Sequence, residues 1–129
     1  ADSIERLGVK TFLEFWQETP LIRSQKKIPT NHRALMQANR LKNTSVGLAK
    51  SLRQFGQGSA PNLWPEIGKL TMPALLITGE KDTKYTNIAQ RMQKVFPNAS
   101  HVSILNTSHM PHLEQSDSVE KAIKNFLSK

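Results

Sequence analysis

The sequence predicts an α/β fold, and three stretches carry that prediction. Ala74 to Ile77 form a near-continuous apolar run that stops at Gly79, the pattern of a parallel strand buried on both faces and followed by a turn. A second short run, His101 to Leu105, passes into a polar loop that carries His109. Between the two, Ile88, Met92, Val95 and Phe96 recur at helical spacing until Pro97 closes the segment. Strand, helix, strand is the resulting order. A parallel crossover of this kind is right-handed and brings both strand ends to one edge of the sheet, so Asp82, in the turn after the first run, and His109 are expected to be neighbours.

An Asp followed by a later His on adjacent strand-end loops matches the last two members of a Ser…Asp…His triad in the chain order of α/β-hydrolases. Either residue alone reads as a turn former, a helix cap or a surface histidine. The pair in matched context points to a site. The serine is not found upstream: no Gly-x-Ser-x-Gly elbow is present, and in Gly56-Gln57-Gly58-Ser59-Ala60 the serine follows the second glycine.

At 129 residues and 37% hydrophobic, the chain has enough material for one ordinary domain. Two strands are nevertheless few, because a two-stranded parallel sheet leaves apolar faces and hydrogen-bonding edges uncovered. Part of a larger fold is therefore expected, with the sheet completed by an N-terminal half of the same fold or by another copy. A first residue of Ala1 fits an excised piece. The absence of cysteine fits a reducing compartment, and no apolar run is long enough for a bilayer span, so a cytoplasmic location without membrane association is expected.

The net charge of +8 is concentrated. No acidic residue occurs between Glu18 and Glu66, whereas Arg23, Lys26, Lys27, Arg33, Arg40, Lys42, Lys50 and Arg53 all fall inside that window. The ten basic residues elsewhere balance the ten acidic ones, so the window carries the whole excess. It can be a solvated basic face, or it can attract nucleic acid or small substrates bearing several carboxylates.

Taken in order, Ser3 is placed to cap a short first turn ending near Gly8, after which Phe12, Phe15 and Trp16 share a helical face until Pro20. A second helix should begin after Pro29 with Thr30 or Asn31 as cap, carrying Ala34, Leu35, Ala38 and Leu41 inward. A third should run from about Ser45 to Phe55 on a stripe of Leu48, Leu52 and Phe55, ended by Gly56 and Gly58. Ser59 to Pro65 is a loop by composition, and Pro65 suits the start of a helical turn through Leu70. The last helix shows Asp117 and Glu120 as a capping pair and Ala122, Ile123, Phe126 and Leu127 as a buried stripe covering one face of the sheet.

The set Asn39-Arg40, Gly47-Leu48-Ala49, Ser51-Leu52-Arg53, Gly56-x-Gly58-x-x-Pro61-x-Leu63-Trp64, Leu75-x-Ile77-x-Gly79-Glu80-x-Asp82-x-Lys84-Tyr85 and His109-x-x-His112-x-Glu114 resembles the C-terminal half of the 2-succinyl-6-hydroxy-2,4-cyclohexadiene-1-carboxylate synthase family of menaquinone biosynthesis. The resemblance implies the C-terminal part of an α/β-hydrolase fold. Residues 1–58 would be a helical cap segment, 59–72 a hinge with a short helical turn, and 73–129 the last strand-helix-strand-helix of the core. It implies an enzyme that eliminates pyruvate from a cyclohexene carrying several carboxylates, with no cofactor. Asp82 would orient His109, and His109 would activate the serine or take the proton. Trp16 and Arg40 would contact the substrate from the cap, where the planar fork of Arg40 can pair bidentately with a carboxylate.

The serine elbow, the oxyanion-hole loop and an upstream cap arginine of the family are not in this sequence, so the isolated polypeptide is expected to be inactive. His112 and Glu114 are expected to brace the catalytic loop. With His109 they also spell a possible metal cluster, but in a loop that spacing does not ensure converging ligands, and no metal is expected. The alternatives are another α/β-hydrolase, such as an esterase or carbon-carbon bond hydrolase, a basic nucleic-acid-binding module, and a partner-binding domain using its open sheet edge. The basic window holds two aromatics, Phe55 and Trp64, and hence little stacking platform, which counts against nucleic acid.

Overall fold

A computed structural model describes all of residues 1–129. The chain divides into two compact units, Ala1–Asn62 and Leu63–Lys129, and each has its own small core.

The first unit is helical: α1 Asp2–Leu7, α2 Val9–Trp16, α3 Pro20–Arg23, a 3-10 turn at Ser24–Lys27, α4 Thr30–Leu41 and α5 Ser45–Phe55. Gly8 separates α1 from α2 with φ 78° and ψ 164°, a conformation that a side chain disfavours. Ile4, Leu13, Ile28 and Ala49 are buried. The small Ala49 lets α5 lie against α1, and Arg53 clamps the two helices. Its Nη1 and Nη2 donate to Glu5 Oε1 and Oε2 at 2.7 and 2.8 Å, and Nη2 also reaches Asp2 Oδ1 at 2.5 Å. Hydrogen bonding from Arg53 holds both carboxyls below their ordinary pKa values.

Three local expectations are corrected here. Ser3 lies inside α1, whose cap position is Ala1, and α4 is preceded by Pro29 with no side-chain cap from Thr30 or Asn31. Thr44 instead caps α5, accepting from the Gly47 amide at 3.1 Å. The face of α4 is also rotated: Ala34, Leu35, Ala38 and Leu41 are exposed, with Leu35 63% and Leu41 48% accessible. The half-buried residues are His32, Met36, Gln37 and Arg40. Polar pairing accounts for that choice, since Gln17 Nε2 donates to Gln37 Oε1 at 2.5 Å and Arg40 Nη2 to Gln25 Oε1 at 2.6 Å.

The second unit contains α6 Trp64–Ile67, β1 Ala74–Gly79, α7 Thr83–Val95, β2 Ala99–Ile104, α8 Pro111–Glu114 and α9 Ser116–Leu127. The helical turn expected through Leu70 thus ends at Ile67. β1 and β2 pair in parallel as a two-stranded sheet in register from Ala74↔Ala99 to Gly79↔Ile104. Leu75 and Val102 line a cavity of about 590 Å³ with Ala122 and Phe126 of α9. Thr78, on the other face, lies 3.2 Å from the Thr86 hydroxyl of α7 and 2.8 Å from His101 Nε2. Side chains alternate along a strand, so α7 and α9 take opposite faces.

The strands are only half-buried along most of their length, unlike the fully buried run that their composition suggests, and burial is greatest at Thr78, Gly79 and Ile104. The Asp117–Glu120 capping pair is not formed. α9 starts at Ser116 after Gln115, which leaves Asp117 in the first turn, where a carboxylate still favours the helix dipole. No helix is long and apolar enough to cross a membrane.

Candidate active site

The C-terminal ends of β1 and β2 are fastened to each other by backbone bonds that continue past the sheet. Glu80 N donates to Ile104 O at 3.0 Å and Lys81 N to Thr107 O at 2.9 Å, while Asn106 N donates to Glu80 Oε2 at 2.8 Å. Thr107 is fully buried, its hydroxyl donating to Ile104 O at 2.9 Å. Gly79 is the point of closest approach: a Cβ there would lie 2.0 Å from Ser108 O and 2.6 Å from Thr107 O. Only glycine leaves room for the second loop to cross the end of β1.

That crossing delivers His109 to Asp82. His109 Nδ1 lies 2.7 Å from Asp82 Oδ2, and since a carboxylate can only accept, Nδ1 is the donor; in the neutral imidazole that tautomer leaves the lone pair on Nε2. The other oxygen, Oδ1, accepts from Tyr85 N at 3.4 Å, which makes Asp82 the N-cap of α7 as well. The two meanings that the sequence allows for this residue are therefore compatible. Asp82 is enclosed, its side chain 8% accessible, whereas His109 retains 28%. The Tyr85 ring packs on the imidazole at a centroid distance of 4.6 Å, tilted by 48°.

Glu114 fixes the loop on both sides of His109. Its carboxylate accepts from Ser108 N and Oγ at 2.9 Å each and from Met110 N at 3.3 Å. His112, expected to brace the same loop, is exposed and takes no part in those bonds, because Pro111 opens the short α8 and turns it outward. No group of three His, Cys, Asp or Glu side chains is placed to hold a metal ion.

The other two candidate residues meet in the helical unit. The Arg40 guanidinium lies 5.0 Å above the centre of the Trp16 ring and donates to Gln25. Burial lowers the Arg40 pKa from its ordinary value, although a guanidinium remains charged. On one side of Arg40 is a cavity of mixed polarity, about 250 Å³, lined by Gln17, Glu18, Gln25, Arg33, Met36 and Gln37. On the other is a largely apolar one of about 230 Å³ lined by Phe12, Trp16, Leu48 and Leu52. Asp82 joins His109 and Trp16 joins Arg40, each pair inside its own unit. Tyr85 and Gln25 have no assigned role from sequence, and only Tyr85, in the first turn after a candidate cap, carries a signal that could have found it; Gly79 is read there as the end of the strand but not as the crossing point of the second loop.

The parallel strands, the crossover helix and the loops at their C-terminal ends are the C-terminal part of an α/β-hydrolase fold. The chain aligns at 35% identity over 128 residues with a Bacillus subtilis (strain 168) protein named "Putative 2-succinyl-6-hydroxy-2,4-cyclohexadiene-1-carboxylate synthase", covering 99% of this chain and 47% of that protein. It is 32% identical over 132 residues to Protein PHYLLO, chloroplastic, of Arabidopsis thaliana, covering 95% of this chain and 8% of the other. Among solved structures it matches MenH from S. aureus with a TM-score of 0.93 and 33% identity, over 98% of this chain and 48% of that chain. No family model matches. The chain thus resembles the 2-succinyl-6-hydroxy-2,4-cyclohexadiene-1-carboxylate synthases in sequence and structure, and it spans about half the length of the bacterial relatives it matches.

Proposed function

We propose that this chain supplies the acid-base pair and a substrate-binding helical segment of an α/β-hydrolase-fold lyase, which eliminates pyruvate from a polycarboxylated cyclohexene in menaquinone biosynthesis. The observation that carries the reading is the 2.7 Å bond between His109 Nδ1 and Asp82 Oδ2, set in a chain that matches MenH along almost its whole length. In this role Asp82 holds the imidazole in the Nδ1–H tautomer. His109 Nε2 then takes a proton from a serine or from the substrate, and the charge that develops on the ring is balanced by Asp82. The 129 residues contain no serine elbow, so the nucleophile and oxyanion hole come from another segment of the fold, which also pairs with the open sheet edge.

Arg40 would bind a substrate carboxylate, with Trp16 supporting both the guanidinium and the ring that carries the carboxylate. The basic window is less suited to a polyanion than its charge suggests. Of its eight cations, Arg23 and Lys26 pair with Glu18, and Arg53 with Asp2 and Glu5.

In the enzyme carrying this chain, Arg40→Ala is expected to lower kcat/KM for the carboxylate-rich substrate about ten- to a hundredfold, the cost of one charge-assisted pair. Lys50→Ala is the comparison, since Lys50 is an exposed cation of the same basic window and lines neither cavity beside Arg40. Steady-state kinetics at low and moderate ionic strength separate the two effects. Equal losses that fade together with salt would leave only a general positive field and refute a specific role for Arg40.

A further inference from the structure

Gln25 is an unusual residue to find in a small core. It sits in the 3-10 turn and is 6% exposed, and it presents its carbonyl oxygen to Arg40 at 2.6 Å. A guanidinium has no acceptor, so the amide has only one workable orientation, with Oε1 toward Arg40 and Nε2 turned away from it. That Nε2 is buried without a hydrogen-bond partner inside the chain, in a residue lining the 250 Å³ cavity. A buried donor left without an acceptor is costly and calls for a reason.

We infer that Gln25 is a positioning residue for Arg40: with the Trp16 ring beneath, its neutral carbonyl fixes the guanidinium without neutralising it, while its free amide donor favours a carboxylate in the adjoining cavity. This rests on the proposed carboxylate-binding role of Arg40 and adds why the supporting residue is an amide. Glutamate would hold the same atom at the same distance, but it would cancel the charge that attracts the ligand and remove the donor. Leucine would fill the space and leave the guanidinium free to swing, since ring stacking alone does not fix its rotation about the Trp16 face. The titratable neighbours facing the cavity are Glu18, Lys26 and Arg33, and Glu18 is already paired with Lys26 at 3.2 Å.

The test uses succinate as probe and two readouts in the protein carrying this chain: the Arg40 Nε–H resonance, for order of the guanidinium, and succinate affinity from its titration. In the parent, succinate should shift that resonance. Gln25→Glu should keep the Arg40 signal sharp yet weaken succinate binding about ten- to a hundredfold. Gln25→Leu should broaden the signal and weaken binding as well. A Gln25→Glu protein that binds succinate as tightly as the parent overturns the inference alone, as does a Gln25→Leu protein in which signal and affinity are both unchanged. A parent in which succinate leaves Arg40 unmoved overturns the inference together with the carboxylate-binding role of Arg40.

Discussion

In the enzyme carrying this chain, Asp82→Asn should lower kcat about ten thousandfold while leaving the protein folded. The carboxamide presents an NH₂ group to His109 as readily as an oxygen, so the imidazole loses the partner that enforces the Nδ1–H tautomer, and Nε2 becomes protonated where a lone pair is needed. Asparagine caps a helix about as well as aspartate, so the bond to Tyr85 N and the start of α7 survive. This separates the two duties of Asp82. Asp82→Ala removes both, and should add a stability loss of about 1 kcal/mol to the same loss of turnover. His109→Ala should be at least as inactive as Asp82→Asn, and the double variant little worse than either, because residues acting as a unit are not additive. Single-turnover kinetics beside denaturant melts measure both consequences. Turnover in Asp82→Asn within tenfold of the parent would mean that the 2.7 Å contact is structural only.

Gly79→Ala is expected to be the most damaging single methyl group in the second unit. The added Cβ would fall 2.0 Å from Ser108 O and 2.6 Å from Thr107 O, and both obstructing atoms are backbone, so no rotamer change relieves the clash. Relief requires the end of β1 to separate from the loop that carries His109. That breaks the Lys81–Thr107 bond, exposes the buried Thr107, and pulls Asp82 away from the imidazole. A loss of about 3 kcal/mol or more is expected, at the upper end for overpacking because the contact cannot be repacked, together with a fall in activity. Gly58→Ala is the comparison. A Cβ at Gly58 meets nothing within 4 Å, and the change should stay within about 0.5 kcal/mol. Equal denaturation midpoints for the two variants would contradict this description of how the strand ends are joined.

How much of this was legible in the sequence differs between the two units, for a physical reason. Around β1 and β2 the signals are local and strong: an apolar run ended by a glycine, a helical period ended by a proline, and a crossover rule that leaves one arrangement of the two loops. The meeting of Asp82 with His109 follows from those alone. In the helical unit the same kind of reasoning placed the helices but chose the wrong face of α4. The Ala34, Leu35, Ala38 and Leu41 stripe is the apolar one, yet the bonds of Gln37 and Arg40 to Gln17 and Gln25 decide which side turns in. Gln25 itself lies in a four-residue 3-10 turn, too short for any period to mark an inward side, and glutamine is seldom read as core. Glu114 was legible as a brace because of its spacing from His109. The outward turn of His112 was not, since it depends on the short α8 that Pro111 starts.

The most direct measurement joins the chain to its chemistry: pyruvate release, followed by a coupled reductase, when the enzyme carrying this chain is given the polycarboxylated cyclohexene precursor of menaquinone, with a simple aryl ester run in parallel. The expected result is pyruvate release from the precursor that greatly exceeds turnover of the ester and disappears in His109→Ala. Ester hydrolysis without pyruvate release, or pyruvate release that persists in His109→Ala, would contradict it.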